Sequence, residues 1–163
     1  MGAEEVVWGI LRSINDPEIP VISIVDLGIV RAVSVEEHHL VKIIITPTYS
    51  GCPAHDVIKM TIQLSLLENN IKNFSIEQRL FPAWTTDWIS DSGRQKLKAY
   101  GIAPPNHTQA VCTPEIFQKE ESVQCPHCNS FHTIMISQFG STACKALYKC
   151  EDCKEPFDYF KCH

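Results

Sequence analysis

The chain has 163 residues and a formal net charge of −5 at pH 7, with 44% hydrophobic and 20% charged residues. This is the composition of a globular protein, and it excludes the disordered and fibrous classes. The sequence contains no polybasic run and no apolar run of membrane-spanning length, so neither nucleic acid nor a membrane is an expected partner.

The cysteine content indicates thiol or metal chemistry rather than disulfide bonds. The first ten residues, MGAEEVVWGI, carry acidic side chains where a secretory signal carries basic ones, so the expected location is the cytoplasm. The cytosol keeps thiols reduced. The eight cysteines are therefore expected to be metal ligands or reactive thiols.

The first elements along the chain are a helix and a β-hairpin. Apolar residues at helical spacing predict an amphipathic helix over residues 4–14, and the two prolines of the next segment, NDPEIP, end it. Residues 29–35 and 40–45 predict two strands, which the polar turn EEHH joins into a hairpin.

A second helix and a third strand follow the hairpin. The loop TPTYSGCP leads into a helix predicted over residues 53–69, and alternating apolar residues predict a half-buried strand over 74–80. A strand–helix–strand succession of this length favours a crossover that makes the two strands parallel. The predicted fold class is α/β (α+β), a small mixed sheet with helices packed on it.

The C-terminal part of the chain predicts a separate module. A short helix is expected after Ser90 or Ser92, and it ends near Gly101. A segment rich in Pro, Thr, Asn and Gln follows, and six of the cysteines lie beyond it. The predicted division is a domain over residues 1–105, a linker over 106–121 and a zinc ribbon over 122–163.

Two CxxC motifs, CPHC and CEDC, predict a metal site in this ribbon. Each motif forms a tight knuckle, and a hairpin between them brings four sulfurs around one tetrahedral ion. The four ligands are Cys125, Cys128, Cys150 and Cys153. Zinc is the expected ion, and a lone iron is compatible with the same thiolates. Because protein would fill all four positions, the expected role is structural.

The other polar features of the ribbon do not predict a further site. Cys144 and Cys162 are interpreted as spare thiols, although a ligand exchange that uses Cys144 stays open. His127 and His132 are expected at the surface. Residues 122–163 contain four lysines, no arginine and four acidic residues, so a nucleic-acid-binding ribbon is not expected.

Cys52 lies at the predicted start of the second helix. If Pro53 is the first helical residue, the free N–H groups and the helix dipole favour a thiolate at Cys52. Gly51 lets the backbone approach a ligand closely, and His55 or Asp56 can add a ligand or a hydrogen bond. The alternative is that Cys52 is a small apolar cap of a buried helix.

Asp16 and Glu18 form a second polar cluster, in the segment NDPEIP. They are interpreted either as carboxylates near a metal or a partner, or as a turn residue and a solvated side chain. The local sequence favours the turn.

These motifs together resemble a known family. DPEIP, VDLGIVR and TPTYSGCP resemble the metal–sulfur cluster assembly family, which includes the SufT-like proteins and the cytosolic iron–sulfur targeting factors of eukaryotes. The segments PAWTTDWISDSGRQKLKAYGIAPP and FGSTACKALYKC resemble one branch of it. That branch contains the D subunits of 1,2-phenylacetyl-CoA epoxidase (phenylacetate-CoA oxygenase), the PaaD or PaaJ type. The resemblance covers nearly the whole chain.

The resemblance implies an accessory protein of phenylacetate catabolism without catalytic activity of its own. Family members help to install or deliver iron–sulfur or related iron centres, and their reactive cysteine corresponds to Cys52. Asp16 and Glu18 match the acidic pattern of the family. The implied clients are the di-iron oxygenase and its iron–sulfur reductase. Iron or a cluster would bind Cys52 transiently, and a second copy of the chain in a homodimer, or the client, would complete the coordination.

Two other functions stay open on the residues alone. In the first, Cys52 is the nucleophile of an enzyme that acts on thioesters, with His55 as general base. In the second, the chain is a non-catalytic docking module that binds the oxygenase complex through the ribbon and a surface around Trp84 and Trp88. Paired tryptophans are more often core residues than interface residues.

Overall fold

The computed structural model describes residues 2–49, 51–105 and 122–161. The chain divides into two compact units, Met1–Trp84 and Thr85–His163. Within the described residues, no helix combines the length and the apolar character that crossing a bilayer requires.

The first unit is a three-stranded sheet with two helices. Its elements are α1 (Ala3–Arg12), β1 (Val30–Val35), β2 (Val41–Ile45), α2 (Ala54–Glu68) and β3 (Phe74–Gln78). The strand order is β1-β2-β3, with β1 antiparallel and β3 parallel to β2. The predicted hairpin, the parallel crossover and the mixed α/β fold class are confirmed.

The core of this unit follows the periodicity of the sequence. One face of α1 buries Val7, Ile10 and Leu11, which are spaced three and four residues apart. Along β2 every second side chain is buried, as expected of a strand with one face against helices. Each such aliphatic side chain contributes about 1.5–3 kcal/mol when it is fully buried.

Helix α2 is apolar on two faces. Its buried face includes Ile58, Ile62 and Leu66, which pack inward at four-residue spacing. A second apolar row faces outward on the same helix, and each of its side chains is about half exposed. The members of this row are Val57, Met60, Leu64 and Leu67. The helix therefore carries more apolar surface than its own unit buries.

The second unit is built around a four-stranded sheet. Its elements are α3 (Asp91–Ala99), β4 (Ile102–Ala103), β5 (Thr133–Ser137), β6 (Lys145–Cys150) and β7 (Pro156–Phe160). The strand order is β4-β7-β6-β5, in which only the β4–β7 pair is parallel. A small core that contains Tyr148 and Phe157 lies beside two of the motif cysteines.

The predicted N-cap of α3 is confirmed at Ser90. Its Oγ accepts a hydrogen bond of 2.9 Å from the backbone N–H of Gly93, which satisfies one of the free donors of the first turn. Arg94 on the same helix is buried, and its guanidinium donates to the carbonyl oxygens of Pro105 and Thr86, at 2.7 Å each. These bonds hold the segments on both sides of α3.

The division into units differs from the predicted boundary at residue 105. The short strand Ile102–Ala103 pairs with β7, so the chain that precedes it groups with the ribbon from Thr85 onward. The predicted linker over residues 106–121, together with Cys112, lies outside the described residues, and so does Cys162.

Of the two tryptophans considered for a docking surface, Trp84 is a core residue. It is 3% exposed, and its Nε1–H donates a hydrogen bond of 2.9 Å to the carbonyl oxygen of Leu27. Trp88 is half-buried. The core interpretation of the paired tryptophans is therefore confirmed for Trp84.

The substitution Trp84→Phe removes this donor and leaves the buried carbonyl of Leu27 without it. We expect the free energy of unfolding to fall by about 1–3 kcal/mol, the usual cost of an unsatisfied buried polar group. Urea unfolding followed by circular dichroism measures the change. The half-buried Trp8 supplies the control, since Trp8→Phe removes no buried hydrogen bond and should cost less. Equal losses in the two variants would contradict the prediction.

Candidate functional site

The four motif cysteines converge in the second unit, as the CxxC spacing predicted. Their Sγ atoms all lie within 4.8 Å of one another. The Sγ atoms of Cys125 and Cys153 are 3.8 Å apart, and those of Cys128 and Cys150 are 3.5 Å apart. A tetrahedral zinc ion with Zn–S bonds near 2.3 Å places its sulfurs about 3.8 Å from each other. The spacing and the donor set therefore fit a four-thiolate metal site.

The two knuckles are built alike. The backbone N–H of Cys125 donates to the carbonyl oxygen of Ser130 at 2.8 Å, and that of Cys150 donates to the carbonyl oxygen of Glu155 at 3.0 Å. In both knuckles the chain thus closes a turn from the first cysteine to the fifth residue after it. This common turn directs the two sulfurs of each motif to the same point.

A left-handed residue follows the second cysteine of each knuckle. Asn129 has a φ of 63°, and Lys154 has a φ of 67° at the matching position. Asparagine adopts this left-handed conformation more readily than most residues other than glycine. Lysine adopts the same conformation at a higher conformational cost, which the closed turn must offset.

Backbone donors and crowding move the thiol pKa values apart. The backbone N–H of Cys153 lowers the pKa of Cys150 to about 7. The N–H of Glu155 acts in the same direction on Cys153, but burial and the neighbouring thiols raise the pKa of Cys153 to about 12. The thiol of Cys150 therefore ionises more readily than that of Cys153. A divalent cation bound by the four sulfurs would favour the thiolate form of each of them.

Outside the four cysteines, a polar cluster joins the two knuckles. The hydroxyl of Ser130 donates to Oδ2 of Asp152, and Nδ1 of His132 lies 3.2 Å from Oδ1 of the same carboxylate. The hydrogen bond from Ser130, followed by that from His132, lowers the pKa of Asp152. The sequence analysis placed His132 at the surface, where it is, but missed this link. The sequence feature that could have indicated this link is Asp152, the acidic residue inside the CEDC motif.

Cys144 lies apart from the four-cysteine cluster. It is buried at 6% exposure, and its Sγ lies 3.1 Å from Oγ1 of Thr142. This position fits the spare buried thiol of the sequence analysis. The structure does not place it where it could exchange with a ligand.

Cys52 lies one residue before the N-cap of α2. Pro53 has helical angles (φ −65°, ψ −27°) but is the cap, and the helix begins at Ala54, one residue later than predicted. The carbonyl of Cys52 accepts a hydrogen bond of 3.1 Å from the N–H of His55. Gly51 has a φ of 84°, with open space where a Cβ would lie. The thiol is half-buried, so it is neither enclosed nor fully exposed.

His55 lies on the buried face of α2. It is 6% exposed, and neither ring nitrogen makes a hydrogen bond of normal geometry within the described residues. Desolvation lowers the pKa of His55, while the side chains of Gln78 and Asp56 act in the opposite direction. A buried imidazole of this kind is neutral near pH 7.

Asp16 is a turn residue, as the local sequence favoured. It is 7% exposed, and its Oδ1 accepts hydrogen bonds from the backbone N–H groups of Glu18 (2.9 Å) and Ile19 (2.8 Å). Glu18 is half-buried. Apart from the four ribbon cysteines, no three metal-ligating side chains in the described part of the chain lie close enough to share an ion. Cys52, His55, Asp16 and Glu18 therefore do not form a complete metal site together.

Two domain families match the chain. Residues 4–68 match the family described as iron–sulfur cluster assembly protein, and residues 109–161 match the PaaD zinc beta ribbon domain. The first match contains Cys52, and the second contains all four clustered cysteines.

Curated relatives match one or both parts. An Escherichia coli (strain K12) protein, described as the candidate D subunit of 1,2-phenylacetyl-CoA epoxidase, is 48% identical over 96% of this chain and 91% of its own length. An Fe-S protein maturation auxiliary factor of Porphyromonas gingivalis is 32% identical over 58% of this chain and 90% of its own length. YitW, an auxiliary factor of the same description from Bacillus subtilis, is 33% identical over 53% of this chain and 85% of its own length.

Solved structures match a similar share of the chain. The domain of unknown function DUF59 from Bacillus anthracis has a TM-score of 0.54 and 26% identity, and it covers 58% of this chain and 90% of its own. A conserved hypothetical protein of Thermotoga maritima has a TM-score of 0.51 and 25% identity, covering 59% of this chain and 94% of its own.

The substitution Cys128→Ser removes one of the four thiolates and should release the metal. Loss of an outer hydrogen bond at a metal site weakens affinity roughly 10–100-fold, so loss of a ligand should weaken it by at least that factor. Metal per chain is measured by mass spectrometry after dialysis against increasing chelator concentrations. The control Cys144→Ser removes a thiol outside the cluster and should keep the metal. The reverse result, in which only the Cys144 variant loses metal, would make Cys144 a ligand.

The burial of His55 predicts a pH-dependent stability. Because desolvation lowers the pKa of His55, the folded chain binds fewer protons than the unfolded chain just below the ordinary histidine pKa of 6.5. The free energy of unfolding should therefore fall as the pH drops through this window, and the full value should be present above it.

Urea unfolding between pH 5 and pH 8 tests this dependence. His55→Leu should flatten the slope, whereas His38→Asn, which removes an exposed imidazole, should leave it unchanged. Acid loss of the ribbon metal affects all three proteins alike, so the difference between their slopes isolates His55. A wild-type slope in the Leu variant would show that His55 does not titrate differently on folding.

Proposed function

Because this chain belongs to the family of phenylacetyl-CoA epoxidase D subunits, we propose that it is a maturation factor for an iron centre of that epoxidase. In this proposal the chain is an accessory protein and does not catalyse epoxidation. It assists the assembly of the di-iron centre of the oxygenase or of the iron–sulfur cluster of the reductase. The maturation-factor relatives of the first unit support the same class of role.

The observation that carries the proposal is the contrast between two thiol environments. Four sulfurs in the ribbon lie within 4.8 Å of one another and can surround an ion completely. Cys52 is half-buried, and no such cluster includes it among the described residues. A closed four-thiolate site retains its metal, whereas a single thiolate leaves most coordination positions to other molecules.

The position of Cys52 suits transient binding of iron. A thiolate is a soft ligand that iron and iron–sulfur species accept. Gly51 leaves space for an approaching group. A client side chain, or a second copy of this chain, would complete the coordination, and the iron would then transfer to the client.

His55 is proposed as a helper of Cys52 in this step. Its backbone N–H already bonds the carbonyl of Cys52, and its buried imidazole makes no hydrogen bond of normal geometry within the described residues. Since burial lowers the pKa of His55, the ring stays neutral, which is the form that can bind a metal. Asp16 and Glu18 are proposed to shape the family loop rather than to bind iron, because the Asp16 carboxylate accepts two backbone hydrogen bonds.

The ribbon has a different role in the proposal. We assign zinc to its four cysteines, with a purely structural function, because the protein fills every position of the site. The zinc holds the second unit folded and takes no part in iron transfer.

The substitution Cys52→Ser tests the function directly. In cells that make the epoxidase, we expect this variant to accumulate normally and to lower the iron content of the purified oxygenase or reductase. Iron is measured per protein after anaerobic purification, with cluster absorbance as a second readout for the reductase. The matched control is Cys112→Ser, which makes the same chemical change in the predicted linker over residues 106–121. Unchanged client iron in the Cys52 variant would refute the proposal.

The same experiment separates the two alternatives. A docking module predicts that deletion of the chain lowers client iron while Cys52→Ser does not. A thioester-acting enzyme predicts turnover of acyl-CoA substrates that depends on Cys52. The structure offers that enzyme little support, because the imidazole of His55 makes no hydrogen bond to the thiol that it would have to activate.

A further inference from the structure

Strand β5 is an edge strand of the ribbon sheet. The strand order β4-β7-β6-β5 places β6 on one side of it, and no described strand pairs with the other side. An edge of this kind presents backbone N–H and C=O groups that a further strand can bind.

The side chains along this edge are apolar and exposed. Ile134, Met135 and Ile136 are consecutive, and each is between 43% and 53% exposed. A β-bulge between Met135 and Ser137 interrupts the alternation, which is why three successive side chains reach solvent. Phe131 and Phe139 on either side are 54% and 61% exposed.

Charged side chains, one of the usual protections of an exposed edge, are missing from this strand. Residues 131–139 read FHTIMISQF and contain no Asp, Glu, Lys or Arg. Edge strands that stay unpaired normally carry charged side chains, often lysine, that discourage association.

Two charged side chains lie beside the ends of this segment. Nζ of Lys161 is 4.3 Å from the centre of the Phe139 ring and donates to the carbonyl of Gln138. At the other end, Asp152 contacts His132. Antiparallel pairing about the centre of the segment would bring the Lys161 end of one copy to the Asp152 end of the other, so opposite charges rather than like charges would meet.

The segment is also symmetric in chemical type about its central residue. Moving outward from Met135, the pairs are isoleucine with isoleucine, threonine with serine, histidine with glutamine, and phenylalanine with phenylalanine. The residues in order are Ile134 and Ile136, Thr133 and Ser137, His132 and Gln138, and Phe131 and Phe139. Antiparallel pairing of two copies about Met135 would place each residue opposite one of its own kind.

We propose that β5 pairs antiparallel with β5 of a second copy of this chain, about a two-fold axis at Met135. A two-fold interface uses the same patch on both copies, so the patch must be complementary to itself. The strand meets that requirement with apolar and hydroxyl cross-strand pairs, and a phenylalanine lies beyond each of its ends. This inference is independent of the proposed function, since it involves the ribbon and not Cys52.

The available area indicates a weak dimer. Five large side chains that are each about half exposed offer roughly 400–500 Å² of apolar surface per copy. With the paired backbone, two copies would bury on the order of 1,000 Å² in total, which is the lower limit for specific interfaces. We therefore expect dissociation in the micromolar range rather than a permanent dimer.

Analytical ultracentrifugation of the full chain with its metal tests the pairing. The wild type should form dimers, and Met135→Lys should raise the dimer dissociation constant at least tenfold with unchanged metal content and circular dichroism. The control Met60→Lys places the same charge in the exposed apolar row of α2 and should leave the dimer intact. A dimer lost only in the Met60 variant would move the interface to α2 and overturn the proposal. A wild type that stays monomeric at about 200 µM would also overturn the proposal. The alternative would then be that β5 pairs with a strand of another protein.

Disulfide formation between introduced cysteines tests the position of the two-fold axis. In the proposed register residue 135 faces its own copy, so Met135→Cys should form an intermolecular disulfide when oxidised glutathione is added. Residue 134 is displaced from its own copy by two positions, beyond the Cα separation that a disulfide spans, so Ile134→Cys should not bond to itself. Peptide mapping of the linked species distinguishes these bonds from those of the native thiols. Efficient self-linking at 134 but not at 135 would refute the register.

Discussion

The second unit depends on the meeting of four sulfurs from two distant knuckles. Its apolar core is small, and two of the ligands, Cys125 and Cys150, are themselves members of that core. A module of this size cannot offset its conformational entropy by apolar burial alone, so ion binding must supply much of the folding free energy. The matching turns, the left-handed residues after each motif and the Ser130–Asp152 link all serve to keep the sulfurs convergent.

Unlike the four clustered cysteines, Cys52 in the first unit has no complete set of ligands around it among the described residues. Cys52 follows a glycine, lies just before the start of α2 and is the only cysteine in residues 1–84. Permanent retention requires a full set of ligands, whereas delivery requires an incomplete one. In the proposed function, one chain combines a site for retention with a site for exchange. The two family matches divide the chain in the same way, with the iron–sulfur cluster assembly family over residues 4–68 and the zinc ribbon over residues 109–161.

The sequence predicted most of this arrangement where periodicity or spacing was strong. Alternation predicted β3, helical spacing predicted α1, the turn EEHH predicted the hairpin of β1 and β2, and the CxxC motifs predicted the sulfur cluster. The sequence did not predict elements that are too short to show a periodicity. Strand β4 has only two residues, so no periodicity could reveal that it pairs with β7. The burial of His55 could have been predicted from its spacing, because it lies three residues before Ile58 and seven before Ile62 on the buried face of α2.

The pairing of β4 with β7 has a practical consequence for anyone who divides the gene for expression. A fragment that starts after residue 105 would contain every metal ligand but would strip β7 of its parallel neighbour. It would also lack α3, whose Arg94 binds the carbonyls of Thr86 and Pro105 and so fixes the segments on both sides of β4. A fragment that starts at Thr85 carries its own neighbouring strand and the anchoring arginine, so the shortest ribbon is not the one that the cysteines alone delimit.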